Sequence, residues 1–256
     1  MDNLLKYLSG HFGDRLVISG VSGDLLVWGE RTINGVKLLG LSFNTPTTAA
    51  STIGYGDLLL ASGTLMAQRI NLPLIRIEYP PDLDTNPNSM LIIDGKQVKR
   101  VRAAATIQSL LGTRYAVAGT SKAVNRSTND PFHVWARETL PQNYVRTDVD
   151  AILHSQKLTP ALLIEVKRSP SKTVREWEPY TEDARNYYIS DLLAKRAQLK
   201  FVTLNHPYTN VPVSDEKIVG VYDIQKVTLS PANIQSTKEL TTSTNLVTIL
   251  DEMSSR

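Results

Sequence analysis

Four side chains stand out for their types and spacing: Asp148, Asp150, Glu165 and Lys167. The run ALLIEVK (161–167) reads as a buried strand that ends in charge. Side chains alternate along a strand, so Glu165 and Lys167 share one face while Val166 turns to the core. The preceding run YVRTDVDAIL (144–153) reads as a strand with Asp148 and Asp150 on one face and Val149, Ala151 and Leu153 on the other. The link HSQKLTP (154–160) is short, so the two strands are expected to pair as an antiparallel hairpin. Pairing Leu153 with Ala161 or Leu162 would set Asp150 opposite Ile164 or Glu165, and Asp148 level with Lys167. Carboxylates that close repel one another unless a cation sits between them. Mg²⁺ suits the position, because it takes one or two carboxylates, keeps several waters and binds phosphate. An ion so held activates a bound water and stabilises in-line displacement at phosphorus. Lys167 would orient or deprotonate that water, or neutralise the charge of the transition state.

Composition narrows the choice of metal. The chain has no cysteine, which excludes disulfides, thiolate zinc sites, iron–sulfur clusters and a thiol nucleophile. The histidines, His11, His133, His154 and His206, are scattered and lack metal-ligand spacing. Oxygen ligands therefore favour Mg²⁺ or Mn²⁺ over zinc. Over 256 residues the apolar content is 41% and the charged content 21%, as in soluble globular proteins. No apolar run is long enough for a membrane helix, and the first residues do not read as a secretory signal, so a soluble cytoplasmic protein is expected. The formal charge of +3 is compatible with nucleic acid without requiring it.

The surrounding pattern supplies elements to position the acids. LVISG, DLLVWGE and VKLLGLSF (16–43) read as strands, with Asn34-Gly35 as a hairpin turn. Residues 58–70 suggest a helix, 72–79 a strand, 91–101 a hairpin around Asp94-Gly95, and 103–111 a short helix. A boundary is placed in the polar stretch 119–131. After it come a helix at 132–140, the two strands above, and a helix over 180–199 with Tyr180, Ala184, Tyr188 and Leu192 on one stripe. Strands at 200–206 and 217–224 and a closing helix at 242–253 follow. This order indicates an α/β fold, a mixed central sheet flanked by helices, behind a β-rich N-terminal region. Arg168, Lys172 and Arg175 follow the acids directly, and Lys99, Arg100 and Arg102 form a second basic group; both are candidates for phosphate contact.

Asp150, fourteen intervening residues and Glu165-Val166-Lys167, with apolar strands around both, resemble the PD-(D/E)XK (restriction-endonuclease-like) nuclease superfamily over residues 132–206. The resemblance implies that Asp150 and Glu165 are metal ligands, that Val166 lends its backbone carbonyl to the metal, and that Lys167 is the catalytic lysine. It further implies a role for a glutamate on the preceding helix, where Glu138 stands. The pattern departs from the family name in having no proline before the aspartate. The expected division is then residues 1–128, for recognition or oligomerisation, and 129–256, a nuclease-like domain. The expected activity is Mg²⁺-dependent hydrolysis of DNA, with RNA not excluded. A homodimer is expected from geometry, since cutting both strands takes two sites or sequential nicking. The alternative is a catalytically inactive nucleic-acid-binding or assembly protein on the same fold. The formula recurs as Asp82 followed by Asp94-Gly95-Lys96, but Asp94-Gly95 is a turn dipeptide that takes Lys96 off the strand face.

Overall fold

The computed structural model describes residues 2–21, 23–33, 35–47, 55–80, 91–94, 97–100, 131–139, 144–170, 173–208, 213 and 216–255. The expected helix at 103–111, the polar stretch 119–130 and the turn residues Asn34, Gly95 and Lys96 lie outside them. The chain forms two compact units. One combines Met1–Val21 with Val149–Arg256, and the other is Ser22–Asp148. Each is a mixed α/β layer structure with six described strands in its sheet and helices packed on it.

The discontinuous unit starts with helix α1 (Asn3–Phe12). Asp2 caps it, its Oδ1 accepting from the Leu4 and Leu5 N–H groups at 2.8 and 3.4 Å. Leu4, Leu8 and Phe12 recur every four residues and, with Leu5 beside them, bury one stripe of α1. Strand β1 (Leu16–Ile18) pairs antiparallel with β8 (Ala151–His154), and β8 with β9 (Pro160–Ser169). Beyond β9 lie β10 (Lys200–Pro207), β11 (Ile218–Leu229) and β12 (Ala232–Thr242). β9 and β10 are parallel, which requires a crossover, and helix α4 (Ala184–Ala197) supplies it. Helix α5 (Ser243–Ser255) ends the unit. One sheet face, with Leu153, Leu162, Ile164, Val202 and Leu204, forms a core with Leu4 and Leu8 of α1 and Leu246 and Leu250 of α5. The other face carries Leu163 and Phe201 towards α4, where Tyr187 lies 5.9 Å from the Phe201 ring.

The inserted unit holds β2 (Asp24–Thr32), β3 (Gly35–Pro46), β4 (Leu74–Tyr79), β5 (Leu91–Asp94), β6 (Gln97–Arg100) and β7 (Tyr144–Asp148), in the order β6-β5-β4-β3-β2-β7. Helix α2 (Tyr55–Ile70) crosses from β3 to its parallel neighbour β4. A Cβ added at Gly63 of α2 would meet a Leu25 methyl at 2.8 Å, so this helix lies close on β2. Helix α3 (Pro131–Thr139) contributes Phe132 and Trp135 to a core with Leu26, Trp28, Ile75 and Ile77.

Three expectations are corrected. The continuous strand at 144–153 is two strands in two sheets, because β7 ends at Asp148 and pairs with β2 while β8 starts at Ala151 and pairs with β1 and β9. The division at 128/129 gives way to an insertion spanning 22–148, so α3 and β7 belong with the N-terminal strands. The buried stripe of α4 runs through Ala184, Tyr187, Asp191 and Ala194, whereas Tyr180 lies before the helix and is exposed. The expected sequence of helix and strands after residue 180 otherwise matches, with β12 added. No described helix is long and apolar enough to cross a membrane.

Candidate functional site

The register of β8 and β9 sets the acids. Leu153 faces Leu162 and Ala151 faces Ile164, which brings Asp150 level with Glu165 one step on. Residues directly opposite in an antiparallel pair share a face, so both carboxylates belong to the α4 side of the sheet. The Asp150 carboxylate reaches across the strand, with Oδ2 accepting the Val166 N–H at 2.7 Å. Its backbone carbonyl accepts the Ser19 N–H at 2.9 Å. Asp150 is thus fastened on both sides, by the extension of β1 and by β9.

Lys167 has its Nζ 2.8 Å from Glu165 Oε1 and 3.8 Å from Asp183 Oδ2, and 5.9 Å from the centre of the Tyr187 ring. Burial alone would favour the neutral amine. The charge of Glu165 and its hydrogen bond outweigh burial, helped by Tyr187 and Asp183, and hold the ammonium well above the ordinary lysine range. Burial pushes the Tyr187 phenol upward, against the pull of the Lys167 charge, so it stays neutral. The parallel register sets Thr203 beside Glu165 and Asn205 beside Lys167. The Asn205 amide donates to the Lys167 carbonyl at 3.3 Å and accepts the Ser169 hydroxyl at 3.0 Å, locking the end of β9 to β10.

Across the sheet, Arg168 turns to the α1 side. Its Nε is 3.8 Å from Asp2 Oδ2 and its guanidinium lies 5.4 Å from the Tyr208 ring centre. His206, buried, places Nε2 3.0 Å from Asp2 Oδ1. Burial works against the Asp2 carboxylate, but His206 and the Leu4 and Leu5 N–H groups prevail and hold it below the usual range.

The structure therefore brings Asp150, Glu165, Val166 and Lys167 together, while Asp148 ends β7 in the other sheet. Asp148 pairs with Leu26 in the inserted unit, so its expected place level with Lys167 on one hairpin is overturned. Glu138 is on α3 of that unit, with its side chain outside the described residues. Arg175 is exposed, with its carbonyl accepting from Lys238 Nζ at 2.8 Å. Lys172 and Arg102 are outside the described residues, as are the side chains of Lys99 and Arg100 on β6. Asp183, Thr203 and Asn205 were not singled out from sequence, whereas Tyr187 reads as a core or boundary residue and is buried. Their place depends on the parallel register of β9 and β10, which no local pattern announces. Asp183 alone carried a signal, as an acid just before a helix.

Among the described residues no group of three or more Asp, Glu or His side chains is placed to hold a metal ion. The donors at hand are the Asp150 and Glu165 carboxylates, within the one or two that Mg²⁺ takes from protein. Comparisons with protein-family models, curated proteins and solved structures return no match.

Proposed function

We propose that the discontinuous unit is a metal-dependent nuclease core that hydrolyses phosphodiester bonds of DNA. The observation that carries this reading is the junction of Asp150 with Glu165-Val166-Lys167, where the Val166 N–H holds the Asp150 carboxylate at 2.7 Å and Lys167 Nζ holds Glu165 at 2.8 Å. A strand residue sends its N–H and C=O towards the same neighbour. The Val166 carbonyl thus faces the edge where Asp150 sits, and the donor set of two carboxylates and a carbonyl fits Mg²⁺ or Mn²⁺ better than a softer metal. The order helix, three antiparallel strands, crossover helix and parallel strand supports the restriction-endonuclease-like reading further.

A bound Mg²⁺ would supply Lewis-acid stabilisation of the phosphate and a more acidic water. Asp150 and Glu165 would hold it. Lys167, kept as an ammonium by Glu165, is suited to neutralising charge on phosphate oxygens and orienting the water, and is unsuited to removing a proton near neutral pH. Tyr187 and Asp183 keep its head group in place.

The test is digestion of plasmid and oligonucleotide DNA with Mg²⁺, Mn²⁺ or EDTA, comparing wild type with Lys167→Ala and Asp150→Ala. Cutting with metal, lost in EDTA and reduced at least about a hundred-fold in both variants, is the expected result. Wild type that binds DNA and cuts nothing with either metal would move the chain to a binding role on this fold.

A further inference from the structure

The discontinuous unit carries two exposed aromatic rings among its described residues. Among the described residues the large apolar side chains most open to solvent include two aromatics, Tyr180 at 55% and Tyr208 at 63% exposure. Tyr208 stands at the end of β10, and Tyr180 stands just before the helix that crosses from β9 to β10. Tyr180 comes three residues before Asp183, whose carboxylate approaches Lys167, and Tyr208 directly follows β10, its N–H bonded to the Ser169 carbonyl.

Neither ring is loosely held. Trp177 meets Tyr180 edge-on at 5.7 Å and is itself buried edge-on against Tyr222 at 5.0 Å. The Trp177 carbonyl accepts from both the Tyr222 hydroxyl and Lys238 Nζ, and Lys238 also binds Glu178 at 2.9 Å. Tyr180 is thus an exposed ring on an anchored base, which lowers the entropy lost when something stacks on it. Tyr208 has the half-exposed Arg168 guanidinium beside it, a cation within reach of any phosphate next to a base stacked there. By strand alternation Lys167 faces the α4 side, where it approaches Asp183 three residues after Tyr180, and Arg168 faces the α1 side, where it meets the Tyr208 ring. In open α/β sheets, ligands bind beyond the carboxyl ends of parallel strands, and this is the end in question.

We propose that this surface holds a single-stranded segment of nucleic acid, with one base stacked on Tyr180, another on Tyr208, and the phosphate between them carried past Lys167. A duplex keeps its base faces covered, whereas an unpaired strand offers a π-face at every nucleotide. Arg168 and Arg175 supply charge without sequence preference. The inference deepens the nuclease reading by naming its substrate class, an unpaired strand such as an end, flap or loop, and rests on that reading for the path past Lys167.

The experiment measures binding apart from cutting. Fluorescence anisotropy of labelled oligothymidylate and of a duplex of equal length, in EDTA at one fixed salt concentration, is read for wild type, Tyr180→Ala, Tyr208→Ala and the two Phe variants. The single strand should bind at least about ten-fold tighter than the duplex, each Ala variant should lose about ten-fold, and the Phe variants should keep wild-type affinity, since the ring does the stacking. A 2-aminopurine placed in the strand should be quenched on binding to wild type and not to the double Ala variant. Equal affinity for duplex and single strand, no binding, or Ala variants that bind as wild type would each overturn the proposal; so would a wild-type dimer that the Ala variants dissolve in sedimentation. A protein that binds single strands through these tyrosines and never cuts would retain this surface and remove the nuclease reading.

Discussion

Lys167 is held by opposing effects that one substitution can separate. Burial favours its neutral form, while Glu165 at 2.8 Å favours the ammonium and wins. In Glu165→Gln the burial remains and the largest opposing charge is gone, so the Lys167 titration should move down. Heteronuclear NMR of the lysine Cε group should show no Lys167 titration in wild type through the usual lysine range, and a midpoint displaced to lower pH in the variant. A midpoint that stays put would mean Asp183 and Tyr187, not Glu165, hold the charge. The sign for stability follows. A raised amine pKa stabilises fully below the unfolded value, about 10.4, and that contribution is lost as pH rises through the folded value. At neutral pH the Glu165→Gln loss should therefore be complete. With side chains 26% and 17% exposed, it should fall between exposed and buried pairs, about 1–3 kcal/mol by urea unfolding.

Helix α1 joins the sheet through one residue that sequence reading passed over. Asp2 both caps the helix and holds His206, so Asp2→Ala should cost about 1–2 kcal/mol, the upper part of the range for a cap. Its carboxyl is depressed, so the gap between wild type and variant is full above the unfolded value of about 3.9 and closes as pH falls through the folded value. Urea melts of both proteins across that acid range check this; a gap unchanged down to the lowest pH would assign it to lost packing instead. What local pattern can disclose is visible in the hairpin. The apolar runs and the short link put Leu153 near Ala161 or Leu162, and the structure takes the second, which sets Asp150 level with Glu165. The same pattern concealed the break at 149–150, because Val145 and Thr147 are buried in one sheet with the same parity as Ala151 and Leu153 in the next. Alternation reports which face is buried and is silent on which sheet buries it.

The insertion leaves and rejoins the first unit at adjacent strands, since β1 ends and β8 begins paired, Ile18 facing Ala151. Two chain ends so close can carry an independent fold between them without stretching the sheet, as domain insertions generally do. The contact that reveals it joins residues more than a hundred positions apart, so composition and turn signals placed a boundary near 128 and could not see that the chain returns. Each unit has its own buried core, Leu4, Leu204 and Leu250 among the residues of one, Trp28, Ile77 and Phe132 among those of the other. Two cores predict two unfolding events. Leu204→Ala should lower one calorimetric transition by about 2–5 kcal/mol, and Phe132→Ala the other by about 3–5 kcal/mol, each leaving its counterpart in place. The tryptophans report separately, Trp28 and Trp135 from the inserted unit and Trp177 from the other, so Trp177→Phe should remove the fluorescence change of the transition that Leu204→Ala shifts. A single transition lowered alike by both core substitutions would mean that the two sheets fold as one cooperative body. The insertion would then be a structural part of the discontinuous unit and not a separable module.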